Sequence, residues 1–126
     1  MQIEHLAVWT ADLERLREFY ARHFGAVAGP RYENPAKGFA SYFLAFDGGA
    51  RLELMTRPGL PPGGPVEGCG YAHLALRTGS REAVDRLTAD LRAAGATVES
   101  GPRTTGDGYY ESVVLDPDGN RIEITA

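Results

Sequence analysis

Apolar residues fall along this chain in two rhythms, and the order of the rhythms repeats. Over residues 2–9, Ile3, His5, Ala7 and Trp9 alternate with Glu4, Leu6 and Val8, which is the two-residue period of a strand. Leu13, Leu16, Tyr20 and Phe24 then recur at threes and fours and make one apolar helix face. Thr10 or Asp12 offers a side-chain oxygen to its first turn, and Gly25 is placed to end it. A weaker strand pattern covers 27–33. Turn chemistry fills 34–38, and a strand with aromatics on both faces runs over 39–46. Asp47-Gly-Gly49 is a hairpin signal leading into a strand over 50–56. The sequence then starts again. A strand is predicted over 71–77, then a helix capped by Ser80 with Val84, Leu87, Leu91 and Ala94 on one face and Gly95 at its end. Strands follow over 97–103, 109–115 and 121–125, the last two joined by a tight Asp116-Pro-Asp-Gly-Asn120 turn. The expected class is α+β: two tandem βαβββ modules forming a curved, mostly antiparallel sheet with the helices on its outer face.

The modules are read as 1–57 and 70–126 of a single domain, joined by a connection over 58–69. The stretch 58–70 carries four of the eight prolines and five glycines. The repetition is most visible at the module ends, where Arg51-Leu-Glu-Leu-Met55 returns as Arg121-Ile-Glu-Ile-Thr125. Each copy is preceded by a strand with a lone histidine, His5 for the first and His73 for the second. The separations, 48 residues from His5 to Glu53 and 50 from His73 to Glu123, differ by one short insertion.

Parity turns these four residues into a candidate site. Side chains alternate across a strand, so Leu6 and Val8, Leu52 and Leu54, Leu74 and Leu76, and Ile122 and Ile124 share the helix-packed side. His5, Glu53, His73 and Glu123 then point to the other side. A half-exposed strand also takes polar residues on its wet face, and any one of the four alone would be read that way. Their recurrence in the first and last strand of both modules points instead to shared metal ligation. Two imidazoles and two carboxylates suit one divalent ion such as Zn²⁺, Ni²⁺, Co²⁺ or Mn²⁺. Such an ion polarises a carbonyl, and a carboxylate loosened from it can move a proton as base and acid.

Composition narrows the alternatives. A net charge of −4 with interspersed signs argues against a nucleic-acid surface. No apolar run is long enough for a membrane helix, and the first residues lack the pattern of a secretory signal. A single cysteine, Cys69, cannot form an internal disulfide, which fits a reducing, cytoplasmic setting.

Four segments carry a family resemblance: Ile3-Glu-His-Leu-Ala-Val8, Phe19-Tyr-Ala-Arg-His-Phe-Gly25, Gly70-Tyr-Ala-His-Leu-Ala75 and Asp116-Pro-Asp-Gly-Asn-Arg-Ile-Glu123. With the paired βαβββ modules, they resemble the vicinal oxygen chelate superfamily of glyoxalases, bleomycin-resistance proteins and extradiol dioxygenases. The set His5, Glu53, His73 and Glu123 is similar to that of a bacterial glyoxalase I (lactoylglutathione lyase). The resemblance implies proton transfer through a metal-bound enediolate of a 2-oxoaldehyde–thiol adduct, with Glu53 or Glu123 as the carrier, and a homodimer in which the site is either within one chain or shared. A three-ligand dioxygenase or thiol transferase, and a metal-free binding protein, are the other classes on this scaffold. Glyoxalase I has basic residues for the thiol's carboxylates, and here Trp9 stands at the strand-one position where one is expected. Arg51, Arg77 and Arg121, with Met55, have the parity to face the substrate.

Overall fold

A computed structural model describes residues 1–64 and 68–126. Residues 65–67, within the expected 58–69 connection, lie outside the described residues. The chain divides into two compact units, Met1–Gly63 and Gly64–Ala126.

In the first unit, β1 (His5–Trp9) leads into α1 (Leu13–Phe24). Asp12 caps the helix, its carboxylate accepting the Arg15 N–H at 3.0 Å. Gly25 closes it in the left-handed region, φ 66°, where a Cβ would be strained. The second strand is split into β2 (Val27–Ala28) and β3 (Tyr32–Asn34), and β4 (Phe39–Ala45) and β5 (Arg51–Thr56) follow. The split falls at Gly29-Pro30, where proline has no N–H for a ladder. The sheet order is β1-β5-β4-β2, with β3 also on β4. The β1–β5 pair is parallel and the other pairs are antiparallel. Leu13, Leu16 and Tyr20 of α1 are buried, as are Leu44, Leu52 and Leu54 of the sheet. Each such leucine contributes about 1.5–3 kcal/mol by leaving water, so the two-residue alternation commits the opposite face of β5 to solvent or ligand.

The second unit repeats the plan. β6 (Leu74–Arg77), α2 (Arg81–Ala93), β7 (Val98–Thr104), β8 (Tyr110–Leu115) and β9 (Arg121–Thr125) form a sheet in the order β6-β9-β8-β7. Again the first and last strands are parallel and the rest antiparallel. The α+β class and the twice-used βαβββ plan are therefore as expected, with one hydrogen-bonded sheet per unit. β7 also meets its proline after a glycine, at Gly101-Pro102, and its register with β8 shifts on either side of Ser100. Both Gly-Pro steps are followed by arginine, Arg31 and Arg103, so the repeat extends to a Gly-Pro-Arg that the periodicity passes over. Each arginine pairs with a glutamate of its own unit, Arg31 with Glu14 at 2.7 Å and Arg103 with Glu111 at 3.5 Å.

The buried face of α2 differs from the expected one. Val84 and Leu91 are buried, but the third position is Thr88; Leu87 is half-buried and Ala94 lies exposed past the helix end. Thr88 is accommodated because its hydroxyl donates to the Val84 carbonyl at 2.6 Å and accepts from Ser112 Oγ at 2.6 Å. Thr88→Val removes that acceptor and leaves a buried hydroxyl of β8 unpaired. The expected cost is about 1–3 kcal/mol in denaturant unfolding. Adding Ser112→Ala to it recovers much of the loss; a double variant as unstable as the single one contradicts the pairing.

Candidate active site

In the first unit the site face is built by the parallel β1–β5 pair. Ala7 stands beside Glu53 and Trp9 beside Met55, which puts His5, Ala7 and Trp9 on the same face as Arg51, Glu53 and Met55. Leu52 and Leu54, buried against the helix side, set this direction. His5 Nε2 lies 3.8 Å from Glu53 Oε2. The other imidazole nitrogen, Nδ1, meets the Glu4 carboxylate, which also takes the Arg51 guanidinium. These two contacts, His5 first and Arg51 second, hold the Glu4 carboxyl below its ordinary range. With Nδ1 engaged by Glu4, Nε2 is the ring nitrogen that faces Glu53. Phe43, paired with Glu53 across β4–β5, steadies both neighbours: the His5 ring stands edge-on at 5.3 Å, and Arg51 lies over the ring at 4.3 Å. Trp9 packs edge-on to Phe39 at 6.3 Å with Arg57 above it at 5.0 Å.

The second unit has the same pair in a cavity. Ala75 stands beside Glu123 across the parallel β6–β9 ladder, and His73, just before β6, falls on the same face. His73 Nε2 and Glu123 Oε2 are 3.2 Å apart. They line a cavity of about 550 Å³ with Ala75, Arg77 and Thr125, with Thr105, Asp107 and Tyr109 of the β7–β8 connection, and with Glu111 of β8. That volume is in the range of small-molecule sites. Glu111 is buried against Arg103. Asp107 accepts the Thr105 hydroxyl at 2.5 Å, which holds its carboxyl below the ordinary range. Arg121 turns away to Glu99, with contacts of 2.6 and 3.1 Å, and is not part of the lining.

Among the described residues no three His, Cys, Asp or Glu side chains cluster closely enough to hold a metal ion. The donors come in twos. Two donors each about 2.1 Å from one ion are roughly 3.0–3.4 Å apart for angles between octahedral and tetrahedral. The His73–Glu123 separation of 3.2 Å meets that requirement, while His5–Glu53 at 3.8 Å lies somewhat outside it. Both pairs are chemically suited to a borderline divalent ion, and the His73–Glu123 pair is metrically suited to two positions on it as well.

The family model of the glyoxalase/bleomycin resistance protein/dioxygenase superfamily matches residues 2–124. The chain belongs to this superfamily. A lactoylglutathione lyase of Haemophilus influenzae is 32% identical over 131 aligned positions, spanning 98% of this chain and 90% of that protein. Among solved structures, a Leishmania major glyoxalase I superposes with a TM-score of 0.80 at 23% identity, over 99% of this chain and 86% of that one. A glyoxalase/bleomycin resistance/dioxygenase domain from Frankia superposes with 0.85 at 17% identity, over 99% and 96%. At these identities the two structures speak for the fold alone. No helix among the described residues of this superfamily member is long and apolar enough to cross a membrane.

The sequence reasoning passed over Glu4, Phe43 and Glu111. Glu111 had a usable signal: it lies in the strand Tyr110-Glu-Ser-Val-Val-Leu115 and shares a face with Val113, the partner of Glu123. That is the same mark of a carboxylate in an apolar strand that singles out Glu53 and Glu123.

Proposed function

We propose that this superfamily member is a divalent-metal-dependent lyase or isomerase of the glyoxalase I type, which moves a proton between adjacent carbons of a small 2-oxoaldehyde–thiol adduct. The observation that carries the reading is the duplicated pair of imidazole and carboxylate on neighbouring parallel strands. The 32% identity to a protein named lactoylglutathione lyase supports the same direction. His5 with Glu53, and His73 with Glu123, are the proposed ligands. A bound Zn²⁺, Ni²⁺, Co²⁺ or Mn²⁺ ion supplies Lewis-acid polarisation of the substrate oxygens.

The protein's own part is proton transfer. A carboxylate takes the hydrogen of the thiol-bearing carbon and returns a proton to the neighbouring carbon. The first carbon is oxidised from the aldehyde level of the thiohemiacetal to the thioester level, its hydroxyl proton passing to the neighbouring carbonyl oxygen, and the second is reduced from ketone to alcohol, so no external oxidant is needed. Glu123 is favoured as the carrier because it lines the cavity, with Glu53 the second candidate. The proposal includes a homodimer, on the strength of the family, and a cytoplasmic setting.

Turnover of the methylglyoxal–glutathione adduct, assayed with each of the four metals, tests the reading. Activity with one or more is expected, and silence with all four rejects it. Glu4 gives a separate check. It orients His5 from behind, and losing such a carboxylate typically weakens metal binding 10–100-fold. Glu4→Gln should show a drop of that order in a competitive chelator titration; an unchanged affinity removes Glu4 from the site.

A further inference from the structure

We propose that Arg77 is the carboxylate anchor of the second-unit cavity, so that this site takes small organic acids through their anionic end. The inference rests on reading the His73–Glu123 cavity as the substrate site. Three arginines have the strand parity to reach the substrate, and the structure separates them. Arg51 is held by Glu4 and lies over Phe43. Arg121 is held by Glu99. The exposed Arg77 lines the cavity, and its side chain has no hydrogen bond, ion pair or ring contact among the described residues.

A guanidinium left without a partner in a concave site is an anion receptor, because its planar fork matches a carboxylate with two parallel N–H donors. Thr125 stands beside Arg77 across the β6–β9 ladder and adds a hydroxyl to the same end of the cavity. Glu123 is two residues back along β9, so the anchor and the His73–Glu123 pair are separated by about 7 Å of strand. One small ligand can span that gap. The cavity also carries Asp107, Glu111 and Glu123. Three acids penalise a dianion more than a monoanion, which favours a carboxylate over a phosphate. The repeat sharpens the point: the position four residues after the histidine is Trp9 in the first unit and Arg77 in the second. At this repeat position only the second unit carries a cation.

The test is amide NMR of the full chain, as purified and again after chelator treatment, titrated with pyruvate, methyl pyruvate and inorganic phosphate. Pyruvate is expected to shift the Ala75, Arg77 and Thr125 amides with roughly tenfold or greater preference over its ester, as a charge-assisted hydrogen bond provides. Arg77→Met should abolish the preference, Arg77→Lys should retain part of it, and Arg121→Met should leave it intact. The proposal is overturned if pyruvate does not bind, if acid and ester bind alike, if Arg77→Met keeps the preference, or if phosphate binds more tightly. The readout contains no turnover. Loss of the lyase reading therefore leaves an Arg77-dependent preference standing, and an active lyase whose Arg77→Met variant binds pyruvate normally rejects only the anchor.

Discussion

Glu123→Gln is expected to reduce turnover roughly 100- to 10,000-fold, the range contributed by a positioned proton-transfer group, and to lower the bound metal measured by mass spectrometry. The amide has nearly the shape of the carboxylate but neither its charge nor its basicity. Glu123 is flanked by buried Ile122 and Ile124, which keep packing when the polar side is altered, so the fold should survive. Circular dichroism and thermal unfolding close to wild type confirm that the loss is chemical. Full activity and full metal content in this variant would remove Glu123 from both proposed roles. Glu53→Gln belongs beside it. A four-ligand site loses metal or activity with either change, while a three-ligand oxygenase keeps its metal when Glu53 is replaced.

The largest expected loss of stability comes from a residue with no chemistry. Gly101 has φ 85°, and a Cβ there would lie 2.6 Å from the Glu111 carbonyl oxygen and 2.8 Å from Ser112 Cα. Left-handed backbone costs an L-residue about 1–2 kcal/mol, and overpacking against rigid neighbours adds about 1–3 kcal/mol. Both obstructing atoms are main chain of β8, so no side chain can rotate aside. Gly101→Ala should therefore lower unfolding free energy by roughly 2–5 kcal/mol. Gly95→Ala serves as the control. Its φ is 89° but its Cβ would meet nothing within 4 Å, so only the backbone term remains. Equal losses for the two would deny the close approach of β7 to β8. Because the crowded atoms belong to Glu111 and Ser112, Gly101→Ala is also expected to disturb the cavity wall and the Thr88–Ser112 bond.

Much of the site could be read from the chain because strand geometry couples position to face rigidly. Once Leu52 and Leu54 are assigned to the core, Glu53 has one direction available, and the same holds for Glu123 between Ile122 and Ile124. The helices were legible for a similar reason, with the caps at Asp12 and Ser80 both in place. The buried Thr88 was missed because hydrophobic periodicity ranks threonine as polar, and its acceptance depends on a Ser112 hydroxyl 24 residues away. Arg51, Arg77 and Arg121 have equal parity and therefore equal standing in the sequence.

By itself, then, the sequence determined the doubled βαβββ plan and, within each unit's own sheet, the face that carries His5 and Glu53 or His73 and Glu123, because these follow from local periodicity. Only the tertiary structure decided how β1 pairs with β5 and β6 with β9, which brings each histidine to its glutamate, and which arginine is left free. Those outcomes depend on partners distant in sequence: Glu4 and Glu99 claim Arg51 and Arg121, and Arg77 is left facing the cavity.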